Sequence, residues 1–352
     1  MSQKRLTNIE WLRIVAMVMI LFSHFSTHGL GGVLANSGGG ISLLFNRFWL
    51  DVTTTGNIGN ALFMIISGYF LCTSKQVRVS RLFRIIIEVF TYSVVIYVLF
   101  TLFWGEKMFS KTDLFIALTP LIHKTNWYFS AYVLIYIFHP FINRLIEGIS
   151  MKELRNLILV MVIVWSVIPT FFMVEFNRSD FILFTMLYLI GAYIRLYPTE
   201  LILKNYKKIL CVSIILWLFI ASLAFLNVPH LYAYLKLLYL NGSPLVIILS
   251  ISLFLYFIDL KTKDSKIVKT IAGCMGGVYL LHDNPYMRSI LYTDIFNIEK
   301  YVYSCYLVPI IIGSVFITLL FCSLIELLRK SGYDFLEQRI SLFIRKHNWF
   351  GI

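Results

Sequence analysis

Apolar runs long enough to cross a hydrocarbon core of about 30 Å recur along the whole chain, and no other feature restricts the fold so tightly. Ten can be read: Ile9–Phe25, Ile58–Cys72, Leu82–Trp104, Trp127–Ile142, Leu157–Val174, Phe181–Ile194, Ile209–Leu226, Leu238–Phe257, Val268–Leu281 and Val302–Leu327. The second, fourth, sixth and ninth are the shortest. With 59% hydrophobic and 14% charged residues over 352 positions, the composition is far from that of a soluble globular domain. The expected fold is an all-α, polytopic membrane protein of about ten spans.

Basic residues orient it. If the N-terminus is cytoplasmic, groups such as Lys75, Arg78, Arg81 and Arg84, then Lys204, Lys207 and Lys208, then Lys261, Lys263, Lys266 and Lys269 fall on the inner side. The outer side receives scattered single cations, among them Arg47, Lys111, Lys124 and Arg288. By the positive-inside rule both termini are expected in the cytoplasm. The net charge of +13 then needs no nucleic acid, because a basic inner face against anionic lipid accounts for it.

The sequence "VLA" at 33–35 loosely resembles a signal cleavage site. The first apolar stretch is long for a signal peptide, however, and Arg13 interrupts its start, so it is read as a retained span. Five cysteines lie scattered in or near spans with no CxxC pair, a poor basis for a metal site or a disulfide. No repeat and no Pro- or Ser-rich linker divides the chain. One membrane domain is expected over 1–330, followed by a cytoplasmic amphipathic tail over 331–352, where Phe335, Ile340, Leu342 and Phe343 stand among Arg339, Arg345 and Lys346. The Gly-rich segment 26–57 reads equally as a lid or re-entrant piece and as a plain connector.

The first span carries the ionisable groups of interest. Arg13 and His24 are eleven residues apart, close to three turns, so they share a helix face about 16 Å apart along the axis. Glu10 stands one turn before Arg13 and can pair with it. A cation near the inner end and an imidazole deep towards the outside would suit reactants arriving from opposite faces. Two plainer readings stand beside that one. An Arg near a span's inner end can snorkel to lipid phosphates, and a membrane His can serve only in packing.

The stretch "NIEWLRIVAMVMILFSHF" resembles the first span of the membrane acyltransferase-3 family, with Glu10, Arg13 and His24 at the matching positions. "GNALFMIISGYFL" (59–71) is similar to its second-span element, with Ser67 and Gly68 in place. "VSRLFRI" (79–85) resembles its basic approach to the third span, carried by Arg81 and Arg84. "NWYFSAYVLIYIFHPFIN" (126–143), "GAYIR" (191–195) and "VYLLH" (278–282) fit later elements, all in order. The resemblance implies a multi-pass protein of the cell membrane, of bacterial plasma-membrane type. It implies transfer of an acyl group, usually acetyl from acetyl-CoA, to a carbohydrate hydroxyl on a glycan or lipid-linked sugar. It gives His24 a part in transfer and Arg13 a part in donor binding or in shaping the site.

Physical chemistry agrees with that assignment. Burial disfavours the imidazolium, so a desolvated His24 is expected to accept a proton. It would act as general base or as a nucleophile forming an acyl-imidazole. Arg81 and Arg84 suit the phosphates of the donor and equally suit anchoring the topology. Ser67, Trp127, Tyr132 and His282 are candidate acceptor contacts; close helix packing, the aromatic belt and an interfacial pair are their plainer roles. Glu88, one turn beyond Arg84, reads as the ion-pair partner of that arginine. A transporter or flippase for a lipid-linked glycan is the alternative, although no matched pair of Gly/Pro-broken spans points to one.

Overall fold

The computed structural model describes residues 6–30, 41–104, 110–174, 179–198, 205–223 and 229–347. Among them every regular element is helical. Among the described residues, six helical stretches are long and apolar enough to cross a membrane: Thr7–His28, Val79–Phe103, Trp127–Glu147, Met151–Phe172, Ala233–Asp259 and Leu307–Tyr333. The other four runs read as spans form shorter helices. Gly56–Leu71 has 16 residues, and Asp180–Leu196 and Tyr206–Ser222 have 17 each, lengths of about 24–26 Å at 1.5 Å per residue. The ninth run is not one helix but two, Lys266–Gly273 and Met275–His282, with the break at Cys274.

That break sits against a buried carboxylate. Glu326 of the long last helix, Leu307–His347, is fully buried, and a Cβ on Gly277 would stand 2.3 Å from its Oε2. Glu326 accepts from Tyr92 Oη at 2.7 Å and from Arg329 Nε and NH2 at 2.7 and 2.8 Å. Arg329 also reaches Glu88 at 3.6 Å, so Glu88 finds a cation on the last helix. Lys330 donates to the carbonyl of Gly273, the last residue of the shorter helix before the break. The cluster ties the third, ninth and last apolar segments together.

The centre of the bundle is a pair of close crossings. The Gly56–Leu71 helix lies between the first helix and Asp180–Leu196. Gly59 brings its backbone so near the first helix that a Cβ would fall 2.4 Å from Ala16 O, which fixes the height of the second helix against Arg13 and His24. The Trp127–Glu147 helix carries Pro140, which has no N–H for the carbonyl of Tyr136 one turn back. The Nδ1–H of His139 donates to that carbonyl instead, at 2.6 Å. A capping box of Ser150 and Glu153 begins the next helix.

Within the segment 26–57, residues Ile41–Thr53 form a packed helix, which favours an ordered piece over a connector. Asn46 donates to the carbonyls of Val302 and Ser304 at 2.6 and 3.1 Å, and Asp51 pairs with Lys236 at 2.8 Å. The last helix runs through residue 331 without interruption to His347, so the tail continues the helix of the final span. The facing of its side chains from 334 onward lies outside the described residues.

Candidate functional site

The first helix places three ionisable groups by its own period. Glu10 is 2% exposed and accepts from Arg13 NH1 at 2.9 Å. Arg13 in turn lines a cavity of about 260 Å³ walled by the first helix, the Gly56–Leu71, Val79–Trp104 and Trp127–Glu147 helices and the broken ninth segment. Arg81 and Ser67 line it too, with Ser67 Oγ donating to Phe63 O at 2.8 Å. Asn60, Tyr128, Tyr132, Gly276 and Tyr279 also line it. Asn60 and Tyr128 are buried, and Asn60 Oδ1 and Tyr128 Oη have no hydrogen-bond partner among the described residues. Such groups are costly unless something else satisfies them.

His24 does not line this cavity. It stands next to Tyr279, which does, with ring centroids 6.3 Å apart. Around His24 lies a second polar cluster. His24 Nδ1 is 3.0 Å from His282 Nε2 and 3.4 Å from Asp283 Oδ1. His28 Nε2 is 3.6 Å from the same oxygen, and Arg288 donates to it from Nε at 3.0 Å and NH2 at 2.8 Å. Phe25 and Tyr292 pack edge to face beside the imidazoles. One carboxylate thus faces three imidazoles and one guanidinium, in a pocket where Asp283 and His282 are almost wholly buried.

His24, His28 and Asp283 also bring three ligand atoms within 4.8 Å of one another. Arg288 already neutralises the carboxylate oxygen that a metal would share, so the set fits a hydrogen-bonded proton-transfer network better than a cation cage.

The sequence-predicted residues therefore fall into two groups that meet at Tyr279. Arg13, Ser67, Arg81 and Tyr132 line the cavity, with Glu10 behind Arg13; His24 and His282 form the neighbouring cluster. Arg84 and Trp127 do not line the cavity. Trp127 packs on Tyr128 and Phe184. Sequence reasoning passed over Asn60, Tyr279 and Arg288. Asn60 had a signal, being an amide inside the second apolar run, close to its start. Tyr279 lies inside the "VYLLH" element, and Arg288 had no signal beyond its neighbourhood to His282.

Residues 6–326 match the model of the acyltransferase 3 family, described as an acyltransferase domain. The chain belongs to that family. No curated protein and no solved structure matches it. A match over nearly the whole chain makes both clusters parts of one acyltransferase domain in a multi-helix membrane protein, one that calls for an acyl donor and an acceptor.

Proposed function

We propose that this acyltransferase moves an acetyl group from acetyl-CoA, taken from the cytoplasmic side, to a hydroxyl of a cell-surface or exported carbohydrate. The observation that carries the proposal is the division of the site. Two guanidinium groups, Arg13 and Arg81, meet the cavity, and an imidazole cluster lies beyond Tyr279. Guanidinium groups suit the phosphates of a CoA donor. The apolar lining of the same cavity by Met17, Ile20, Phe63 and Met275 suits the arm that carries the thioester. In this reading both termini are cytoplasmic, the ten apolar segments all cross, and the membrane is a bacterial plasma membrane.

His24 acts as general base. As the carbohydrate oxygen bonds to the thioester carbonyl carbon, its proton passes to His24 and the tetrahedral centre collapses. The carbon–sulfur bond breaks, and the proton leaves His24 for the departing CoA thiolate. Asp283 is placed to stabilise the imidazolium formed midway, as carboxylates do beside histidine bases. Tyr279 must yield for thioester and imidazole to meet. Its ring belongs to both compartments, which supports a route through that side chain. Ser67, Tyr132 and Trp127 remain proposed substrate contacts, the first two on the cavity wall.

The test is NMR of the surface and exported glycans of cells with and without the protein. O-acetyl signals that depend on the protein are expected. Their absence, in cells where the protein is inserted, would overturn the glycan acceptor. Retention of transfer with a different acyl-CoA in preference to acetyl-CoA would overturn the acetyl donor.

A further inference from the structure

We infer that His282 is a positioning residue, which holds His24 in the tautomer that leaves its Nε2 as the basic nitrogen. The inference rests on the reading of His24 as general base and assigns His282 a task other than touching the substrate.

The proton pattern is fixed by an atom that can only accept. His282 Nδ1 lies 2.6 Å from the carbonyl oxygen of Val278, one turn earlier in the same helix. A carbonyl oxygen has no proton to give, so Nδ1 must carry the hydrogen. In a neutral imidazole the other nitrogen, Nε2, then presents a lone pair. That lone pair faces His24 Nδ1 at 3.0 Å, so the proton between the two rings belongs to His24 Nδ1. His24 Nε2 is left without a proton and free to take one. The chain Val278 O, His282, His24 has one consistent set of donors and acceptors for two neutral rings, and the backbone fixes it at its far end.

Asp283 pulls the same way but less directly. Its Oδ1 is 3.4 Å from His24 Nδ1, beyond a good hydrogen bond, and already takes two N–H groups of Arg288. His282 is therefore the nearer acceptor for His24 Nδ1–H. It is also wholly buried, whereas His28, the other neighbouring ring, is among the more open members of the cluster. A residue that only contacted the acceptor would need a face towards it. A residue that sets a tautomer needs only its two neighbours, and those it has.

The importance of tautomer control is known in size from triad hydrolases, where the wrong histidine tautomer costs about 10⁴-fold in rate. The experiment uses the full chain in membranes from the expressing cells. Radiolabelled acetyl-CoA is the donor, and the apparent maximal rate and the apparent KM for acetyl-CoA are read per amount of inserted protein. His282→Leu removes the acceptor for His24 Nδ1–H; the maximal rate should fall about 10²-fold or more with the KM for acetyl-CoA unchanged, by the usual weight of a general base. His282→Gln puts an amide oxygen near the position of Nε2 and should restore the rate to within about 10-fold of the native chain. His282→Asn, whose shorter amide cannot reach His24, should remain as impaired as His282→Leu. It stands in for that variant if the latter does not accumulate.

A native-like rate in His282→Leu would overturn the inference, as would equal loss in the Gln and Asn variants at matched protein. A raised KM for acetyl-CoA with an unchanged maximal rate would overturn it too, by making His282 a donor contact. His24→Ala runs in parallel. If it retains transfer, the general-base reading itself falls; if it is inactive while His282→Leu is not, only the positioning role falls.

Discussion

Gly68 and Gly191 close one helix crossing from its two sides. A Cβ on Gly68 would lie 2.1 Å from the carbonyl oxygen of Tyr188, and one on Gly191 would lie 2.2 Å from that of Ile65. The Gly56–Leu71 and Asp180–Leu196 helices thus meet backbone to backbone. Packing of this kind drives helix association in lipid, where apolar burial supplies no difference between protein and solvent. Gly68 belongs to the second family element together with Ser67, and its task in the structure is this approach.

Gly68→Ala should therefore act on folding rather than on chemistry. Overpacking a tight contact costs about 1–3 kcal/mol, and here the obstacle is backbone, which cannot rotate away. The expected result is a lower melting midpoint for the detergent-solubilised protein and less of it in the membrane. Activity per folded molecule should be preserved. An unchanged midpoint would mean that the two helices can separate freely at this crossing.

His24→Ala should abolish acyl transfer with little loss of inserted protein, because removal of a general base costs about 10²–10⁴-fold. His28→Ala should be milder. Its Nε2 reaches Asp283 only at 3.6 Å, and Arg288 holds that carboxylate without it. Label incorporated into glycan, normalised to protein, separates the two. Near-native transfer by His24→Ala would remove the catalytic role of the first helix.

The first-helix triplet was legible because a single helical period relates its members. Glu10, Arg13 and His24 need no tertiary knowledge to be placed on one face, and the Glu10–Arg13 pair formed as read. The partners of His24 were not legible, since His282 is 258 positions away and only the packed bundle joins them. Glu326 is a different case. An acidic residue within the apolar run "FCSLIELL" is itself a sign of a buried partner. The sign was visible, but it did not say that Arg329, Tyr92 and Glu88 would supply the partners. The break at Cys274 escaped for the same reason: Gly276 and Gly277 look like small packing residues until the carboxylates they accommodate are placed.

Arg81 and Arg84 read alike in sequence and part company in the structure, since Arg81 lines the cavity and Arg84 does not. Arg81→Glu should raise the apparent KM for acetyl-CoA about 10-fold or more, the order expected when a charge-assisted hydrogen bond becomes a repulsion. Arg84→Glu should change it far less. Donor titrations on membranes with equal protein test the pair. Equal effects of the two substitutions would reduce both to anchors of the topology.

Topology has its own measurement. A reporter fused after Ile352 should be active in the cytoplasm, and one placed at Lys111, at the start of the short helix Lys111–Leu118, should be active outside. These outcomes follow from the proposed topology, which puts the Lys and Arg clusters on the inner side with an even number of crossings. A C-terminus reported outside would require an odd number and would break the ten-span reading.

The buried cluster around Glu326 makes the last prediction. Its carboxylate receives both donors of the Arg329 fork and the hydroxyl of Tyr92. Glu326→Gln conserves shape and can still accept from Tyr92, but it turns an amide NH2 or a neutral oxygen towards the guanidinium. Arg329 is then left with Glu88 at 3.6 Å as its remaining carboxylate among these contacts. Removing one partner of a buried pair commonly costs about 3–5 kcal/mol, because the other charge stays behind. The Glu326→Gln protein should show a clearly lowered thermal midpoint in detergent. Removing the stranded charge as well, in Glu326→Gln/Arg329→Gln, should recover part of the loss, since two neutral amides can bond each other. If the double variant is no more stable than the single one, the cost does not come from the Arg329 charge, and Lys330, whose Nζ lies 3.4 Å from Glu326 Oε1, is the other cation left behind. If the single variant melts like the native chain, the cluster does not hold the third and last helices together.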